Sequence, residues 1–158
     1  MPDEAVRLRR AVAADRDALV AMQEDAYAPN RAILGGTPTP LTWDYATVLA
    51  AREVWLAEDA SGIVGALILE IGPDDIYIDS VAVAQRAKGL GLGNTLLALA
   101  ETRAAEEQRS VVRLTANALM VFNVDWYGRK GYAVEEVEVA GDRRRVHMAK
   151  ILARPNAA

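Results

Sequence analysis

The segment that most limits what this chain can fold into runs VAVAQRAKGLGLGNTLLALAE, from Val81 to Glu101. Upstream of it the run DDIYIDSVAVA (Asp74 to Ala84) alternates apolar and polar residues as a strand does. Gly89, Gly91 and Gly93 then occupy every second position, and a leucine-rich run follows in which Leu92, Leu96 and Leu99 share a helical face. A strand therefore enters a helix, beginning at about Asn94, through a loop almost bare of side chains. Backbone of that kind lets a ligand approach closely. The unpaired amides and positive dipole end of the helix then form a cradle for phosphate oxygens. Isolated glycines would read as a packing turn; three in register at a strand–helix junction read as a phosphate site.

Spacing sorts the phosphate ligands. A P-loop needs G-x-x-x-x-G-K-[ST], and no Lys-Ser or Lys-Thr follows these glycines. A dinucleotide fold wants G-x-G-x-x-G after its first strand. Counted from Gly89 the last glycine position is Asn94, counted from Gly91 it is Leu96, and the loop follows the fourth expected strand instead of the first. Both nucleotide readings lose.

Whole-chain quantities narrow the chemistry. A length of 158 residues with 52% apolar and 25% charged residues suits one globular domain, expected to span 1–158 with a core of about 5–152. The chain has no cysteine, which removes disulfides, thiolate metal sites and a catalytic thiol, and a single histidine, His147, makes no zinc cluster, so no metal is expected. His147 itself, alternating with Met148 in a terminal strand, reads as a structural histidine. MPDEAVRLRR lacks a signal peptide's apolar segment, and no apolar run approaches the roughly 18 residues that span a bilayer, so a cytoplasmic protein without membrane contact is expected. A net charge of −4 offers no broad basic field for nucleic acid but attracts cationic amines weakly.

The remaining periodicities alternate between strand and helix. VRLRRA (Val6 to Ala11) reads as a strand, and a helix follows with Asp15 placed to cap it and Leu19, Met22 and Ala26 on one face. Paired glycines and spaced prolines break regular structure in APNRAILGGTPTPLTWDY, a loop of a length that is more often functional than idle. A helix over Trp43 to Arg52 leads into the hairpin EVWLAEDASGIVGALILEIG, and SVVRLTAN reads as a buried strand. A short helix from Ala118 to Arg129 and a final hairpin around Gly141-Asp142 complete the chain. Antiparallel hairpins at both ends with one strand–loop–helix crossover between them predict a mixed sheet in an α/β or α+β domain.

The pattern Val81-x-Val83 followed by Lys88-Gly89-x-Gly91-x-Gly93 and Leu96-Leu97 resembles the acyl-CoA-binding motif of the GNAT superfamily of N-acyltransferases, with lysine at the position the family gives to glutamine or arginine. Downstream, WYGRKGY (Trp126 to Tyr132) is similar to the family's aromatic-Tyr-x-x-x-Gly-aromatic segment, and the terminal elements match as well, so the resemblance covers nearly the whole chain. It implies one mixed, mostly antiparallel sheet, splayed between the fourth and fifth strands and flanked by helices. It also implies acetyl-CoA as cosubstrate, its pantetheine arm lying in the gap.

By position the resemblance gives the backbone of Val81, Ala82 and Val83 to the pantetheine, and the amides of Lys88, Gly89, Leu90, Gly91, Leu92, Gly93 and Asn94 to the diphosphate. Tyr127 matches the tyrosine that returns a proton to the leaving sulfur. The family often has asparagine where Met120 stands, so either Asn123 or Asn117 supplies that cofactor contact or the contact is absent. The fourth-strand glutamate of many relatives falls at Tyr77, and Asp79, two residues on and on the same strand face, is the candidate base. Tyr27, Trp43 and Tyr45 flank the Gly-Pro loop and are candidate contacts for the acceptor, a small-molecule amine or a peptide N-terminus. With no cysteine, direct attack of the amine in a ternary complex is the economical mechanism. A non-catalytic acyl-CoA-binding or regulatory module on the same fold is the alternative. Relatives are often homodimers, although the sequence shows no self-complementary patch.

Overall fold

Every alternating or β-branched run forms a strand: β1 (Arg7–Arg10), β2 (Glu53–Asp59), β3 (Gly62–Ile71), β4 (Asp75–Val83), β5 (Val111–Asn117), β6 (Ala133–Ala140) and β7 (Arg143–Ile151). The computed structural model, which describes residues 5–153, joins them in one seven-stranded sheet of order β1-β2-β3-β4-β5-β7-β6. The β4–β5 pair is parallel and the others are antiparallel. The continuous apolar run of β3 fits its place inside the sheet, where neither face meets water.

Among the described residues there are five α-helices: α1 (Arg16–Tyr27), α2 (Asn30–Leu34), α3 (Tyr45–Ala51), α4 (Leu92–Glu106) and α5 (Val121–Arg129). Leu92, Leu96, Leu97, Ala100 and Ala104 of α4 pack with Leu67, Leu69, Ile76, Ile78, Val112 and Leu114, and α5 leans on this core through Val124, Trp126 and Tyr127. On the opposite face Leu19, Met22 and Ala26 of α1 pack with Val54, Leu56, Ala66, Ile68 and Ala82. Full burial of a leucine such as Leu19, Leu67 or Leu96 is worth about 1.5–3 kcal/mol, so each face holds its helix by apolar burial more than by intrinsic propensity.

Two irregularities of β4 open the sheet. Ile68 stands opposite Ser80 and Leu69 opposite Ile78, so Asp79 is an extra residue in β4, a β-bulge. It reverses the alternation. Before it Ile76 and Ile78 enter the α4 core; after it Val81 and Val83 lean on that core while Ala82 enters the α1 core. The β4–β5 ladder runs from Asp75↔Val111 to Ile78↔Leu114 and ends at the bulge, whereas β5 continues to pair with β7 as far as Asn117↔Arg145. Beyond Ile78, β4 has β3 on one side and a gap on the other.

Three sequence expectations are corrected. Asp15 precedes α1 but makes no side-chain cap bond to it; its carboxylate accepts from the Val12 amide at 2.7 Å and from Arg9 at 2.8 and 2.9 Å, because the preceding 3₁₀ turn and the β1 arginine reach it first. The Gly-Pro segment holds regular structure, α2 and a 3₁₀ turn over Thr39–Thr42; Gly35 ends α2 in the left-handed conformation at φ 69° and so permits the short helix it was expected to prevent. α4 begins at Leu92 and not at Asn94, since Gly91 serves as its N-cap.

Candidate active site

The backbone part of the site begins where β4 leaves β5 and continues through a 3₁₀ turn over Gln85–Ala87 into the glycine loop. Gly89 and Gly91 have φ of 82° and 80°, and a Cβ built at either would meet nothing within 4 Å. Glycine is required there by the left-handed backbone and not by crowding. Gly93 differs, since it lies in the first turn of α4 and a Cβ would sit 3.6 Å from the Trp126 ring, an ordinary contact. Thr95 donates the first helical hydrogen bond, to the Gly91 carbonyl at 3.1 Å, so the amides of Leu92, Gly93 and Asn94 lie ahead of any intrahelical acceptor and point out of the helix end. Leu90 stands at the loop tip, 79% exposed, beside the extended Lys88.

On the α4 side an aromatic cluster walls the gap. The Tyr127 ring lies 4.9 Å from that of Trp126 and 5.7 Å, edge-on, from that of Tyr132. Tyr132 is anchored by donating to Glu101, but the Tyr127 hydroxyl has no hydrogen-bond partner among the described residues. Burial pushes the Tyr127 phenol well up from its ordinary value, and the nearby phenol of Tyr27 adds a smaller push in the same direction. Tyr27 belongs to the α1 face, and its phenol is near enough to that of Tyr127 to act on it electrostatically. Asn123 is half-buried on α5, while Met120 caps that helix and the Asn117 carboxamide accepts from the Leu119 amide at 2.9 Å. Of the two asparagines, Asn123 is the one not engaged in a turn.

On the α1 side a polar chain lies beneath β4. Tyr27 is 2.7 Å from Ser80 Oγ; Gln23 Nε2 donates to Ser80 at 3.3 Å and to the Tyr45 hydroxyl at 2.9 Å; Tyr45 donates to the Pro40 carbonyl at 2.8 Å. Tyr45 is buried at 5% exposure with its hydroxyl committed twice, so it braces α1 and the Pro40 turn instead of lining the opening. Trp43, 6.3 Å from Tyr45 between ring centroids, is only partly buried. Asp79 accepts from Arg52 Nε at 3.1 Å, and the same guanidinium reaches Glu70 at 3.5 Å. Burial, and then the neighbouring Glu70 carboxylate, push the Asp79 carboxyl up to about 7, with Arg52 pulling back less strongly.

Gln23, Ser80 and Arg52 extend the site beyond the residues expected to build it. Gln23 had a signal: it falls on the Leu19–Met22–Ala26 face, and a fully buried glutamine on an apolar face must find partners. Ser80 and Arg52 had none, since their roles follow from the bulge and from the end of α3.

With this geometry in place the comparisons with known proteins are decisive. A family model described as the acetyltransferase (GNAT) domain matches residues 45–152, more than half of the chain. The chain belongs to the GNAT acetyltransferase family. The PaiA N-acetyltransferase of Thermoplasma acidophilum, solved in complex with coenzyme A, superposes on this chain with a TM-score of 0.78 at 16% identity, covering 93% of this chain and 99% of its own. The YncA protein of Salmonella typhimurium, solved with its cofactor acetyl-CoA, gives 0.70 at 19% identity over 98% and 99%. The IAA acetyltransferase of Bacillus cereus gives 0.68 at 20% identity over 94% and 100%. At these identities the likeness establishes a shared fold. Among the described residues of the GNAT chain no cluster of histidine, aspartate and glutamate could hold a metal ion, and no helix is long and apolar enough to cross a membrane.

Proposed function

We propose that this chain is an N-acetyltransferase that carries the acetyl group of acetyl-CoA to a primary amine by direct attack in a ternary complex, residues 5–152 acting as one catalytic domain. The observation that carries the proposal is the end of the β4–β5 ladder at Ile78↔Leu114, beside the outward amides of Leu92 to Asn94 and the unpartnered hydroxyl of Tyr127. The fit to acetyl-CoA rests on those backbone groups. An extended amide-bearing arm can pair with the free edge of β4 at Val81, Ala82 and Val83, as an added strand would. The left-handed turns at Gly89 and Gly91 present the amides from Lys88 to Asn94 to a diphosphate at the positive end of α4. Asn123, half-buried on α5, is the side chain assigned to the same arm.

Bound acetyl-CoA would supply an activated acyl group. The protein orients it, removes protons from the amine and returns one to the departing sulfur. Backbone donors of β4 beside the bulge polarise the thioester carbonyl and stabilise the negative charge that develops on its oxygen. Asp79, ionised above about pH 7, accepts a proton from the amine on the α1 side. Tyr127, held protonated by its buried setting, donates to the thiolate from the α5 side. Tyr27 and Trp43 line the approach of the acceptor, and Tyr45 with Gln23 braces that wall from behind.

Release of free CoA thiol from acetyl-CoA, measured across a panel of polyamines, amino acids, aminoglycosides and peptides with free N-termini, tests the proposal. Turnover with at least one amine is expected. Binding of acetyl-CoA with turnover of none would instead make the chain an acyl-CoA-binding module.

A further inference from the structure

Acetyl transfer to an alkylammonium has a proton left over. The nitrogen gives up two protons in becoming a secondary amide; Tyr127 accounts for the one delivered to sulfur, and the other must reach water from the floor of a cleft. A route lies on that floor. Tyr77 sits in the last paired stretch of β4, and Thr115 is the first residue of β5 beyond the ladder. The Tyr77 hydroxyl donates to Thr115 Oγ1 at the point where the strands part. Thr115 lies directly opposite His147 on β7, 2.9 Å from its Nδ1, and His147 Nε2 is 3.0 Å from Glu138 Oε1 on the edge strand β6. Four side chains on four neighbouring strands thus run from the cleft to the rim of the sheet, where the Glu138 side chain is 43% exposed.

The chain has a direction. Thr115 receives the Tyr77 proton, so its own proton points to Nδ1, and the imidazole then carries its proton on Nε2, toward the Glu138 carboxylate. Such a tautomer accepts at Nδ1 and sheds at Nε2. Asp79 lies two residues from Tyr77 and within electrostatic reach of it, as do Glu70 and Arg145. Arg145 also approaches Glu138 at 3.7 Å, and Glu136 stands opposite His147 in the β6–β7 register.

On the acetyl-transfer reading above, we propose that Tyr77, Thr115, His147 and Glu138 are the exit path for the proton released by the acceptor amine, with Asp79 at its entrance. As the N–C bond forms and the C–S bond breaks, one of the two protons leaving the nitrogen makes good the one Tyr127 gives to the sulfur, and the other passes to the Asp79 carboxylate and, through water in the cleft, on to Tyr77 Oη. The Tyr77 proton moves to Thr115 Oγ1, that of Thr115 to His147 Nδ1, and the Nε2 proton to Glu138, which gives it to water. Each group ends with the proton count it began with. His147 regains its resting tautomer by exchange with solvent at a side chain that is 29% exposed. Thr115, His147 and Glu138 are relay residues that touch neither the amine nor acetyl-CoA.

The same chain ties the β6–β7 hairpin to the sheet, so the test must separate transport from support. Thr115→Val keeps shape and removes the hydroxyl; His147→Gln is the second variant. Both are compared with the parent by thiol release from acetyl-CoA, using the panel's fastest amine, from pH 6 to 9 at low and high imidazole buffer. The expected result is a loss of about tenfold in kcat for each variant near neutral pH, an unchanged KM for acetyl-CoA, and recovery as the imidazole concentration rises. Variants within twofold of the parent at every pH, or losses that buffer does not relieve, overturn the path while leaving acetyl transfer intact. A parent that turns over no amine overturns acetyl transfer and the path with it. Because the chain contains one histidine, its ¹⁵N spectrum shows a single imidazole. A bare Nδ1 and a protonated Nε2 in the resting protein are expected, and a proton resident on Nδ1 overturns the path whatever the kinetics.

Discussion

The two walls of the β4–β5 cleft are made of different material. The α4 wall offers backbone, an unpaired strand edge, two left-handed glycines and the open end of a helix, behind which the Trp126, Tyr127 and Tyr132 rings pack. The α1 wall is side chain: Tyr27, Ser80, Gln23 and Tyr45 bonded to one another, with Asp79, Arg52 and Glu70 beside them. Backbone can recognise groups that every acyl-CoA carries, whereas side chains set what else enters. A family that keeps its cosubstrate and changes its acceptor would divide the labour this way. On this division, changes on the α4 wall and at Tyr127 affect transfer to every amine alike, and changes on the α1 wall alter pH dependence and acceptor choice.

The sharpest break of that comparison is Tyr127→Phe. Removing a proton donor typically costs 10²–10⁴-fold, so kcat is expected to fall about a hundredfold or more with every amine while acetyl-CoA binding holds, as read by thiol release beside equilibrium titration. Equal rates for parent and variant would assign the phenol to packing against Trp126 and Tyr132.

Asp79→Asn comes next. The parent's kcat/KM should fall about tenfold per pH unit below pH 7, where the carboxyl takes up its proton, and level off above it; the variant should be slower by about 10²-fold at pH 8 and nearly flat in its pH profile. Stability moves the other way. The folded-state value lies above the ordinary aspartate value of 3.8, so the folded chain binds this proton more tightly. The group's contribution is complete below the ordinary value and is lost as pH rises through about 7. Above pH 7 the asparagine variant should therefore unfold at a higher temperature than the parent, a loss of rate joined to a gain in stability. A pH profile unchanged by the substitution would move the base elsewhere.

The same contrast explains how much could be read before the structure. Strand β4, the glycine loop and α4 follow from period and composition, because alternation, glycine and leucine spacing are local signals. The bulge at Asp79 is not local: it depends on how β3 and β4 register, which turns on residues from Ile68 to Ser80 at once. Nothing in the spacing of Arg52, Glu70 and Asp79 brings them to one point, because they come from the end of α3 and from two neighbouring strands. Asp15 shows the same limit, since a good capping residue was claimed by Arg9 and the Val12 amide instead of by its helix. Tyr45 was read correctly as an aromatic beside the loop, but its depth was set by Gln23 and Pro40, one of them on another helix.

The smallest expected effects lie inside the glycine loop, and they test the central claim most directly. Thermal unfolding of the parent, Gly91→Ala and Gly93→Ala should be followed with acetyl-CoA, CoA, ATP or NAD. A ligand at a hundred times its dissociation constant stabilises by about 2.7 kcal/mol, which for a chain of this size raises the midpoint by about 5–11 °C. The account predicts that shift for the parent with the CoA compounds alone. Gly91→Ala places a side chain in a left-handed turn at a cost of about 1–2 kcal/mol, lowering the unliganded midpoint by a few degrees and shrinking the CoA shift, while Gly93→Ala should match the parent. A shift with ATP or NAD instead, or none with CoA at saturation, would contradict the assignment of this cleft to an acyl-CoA.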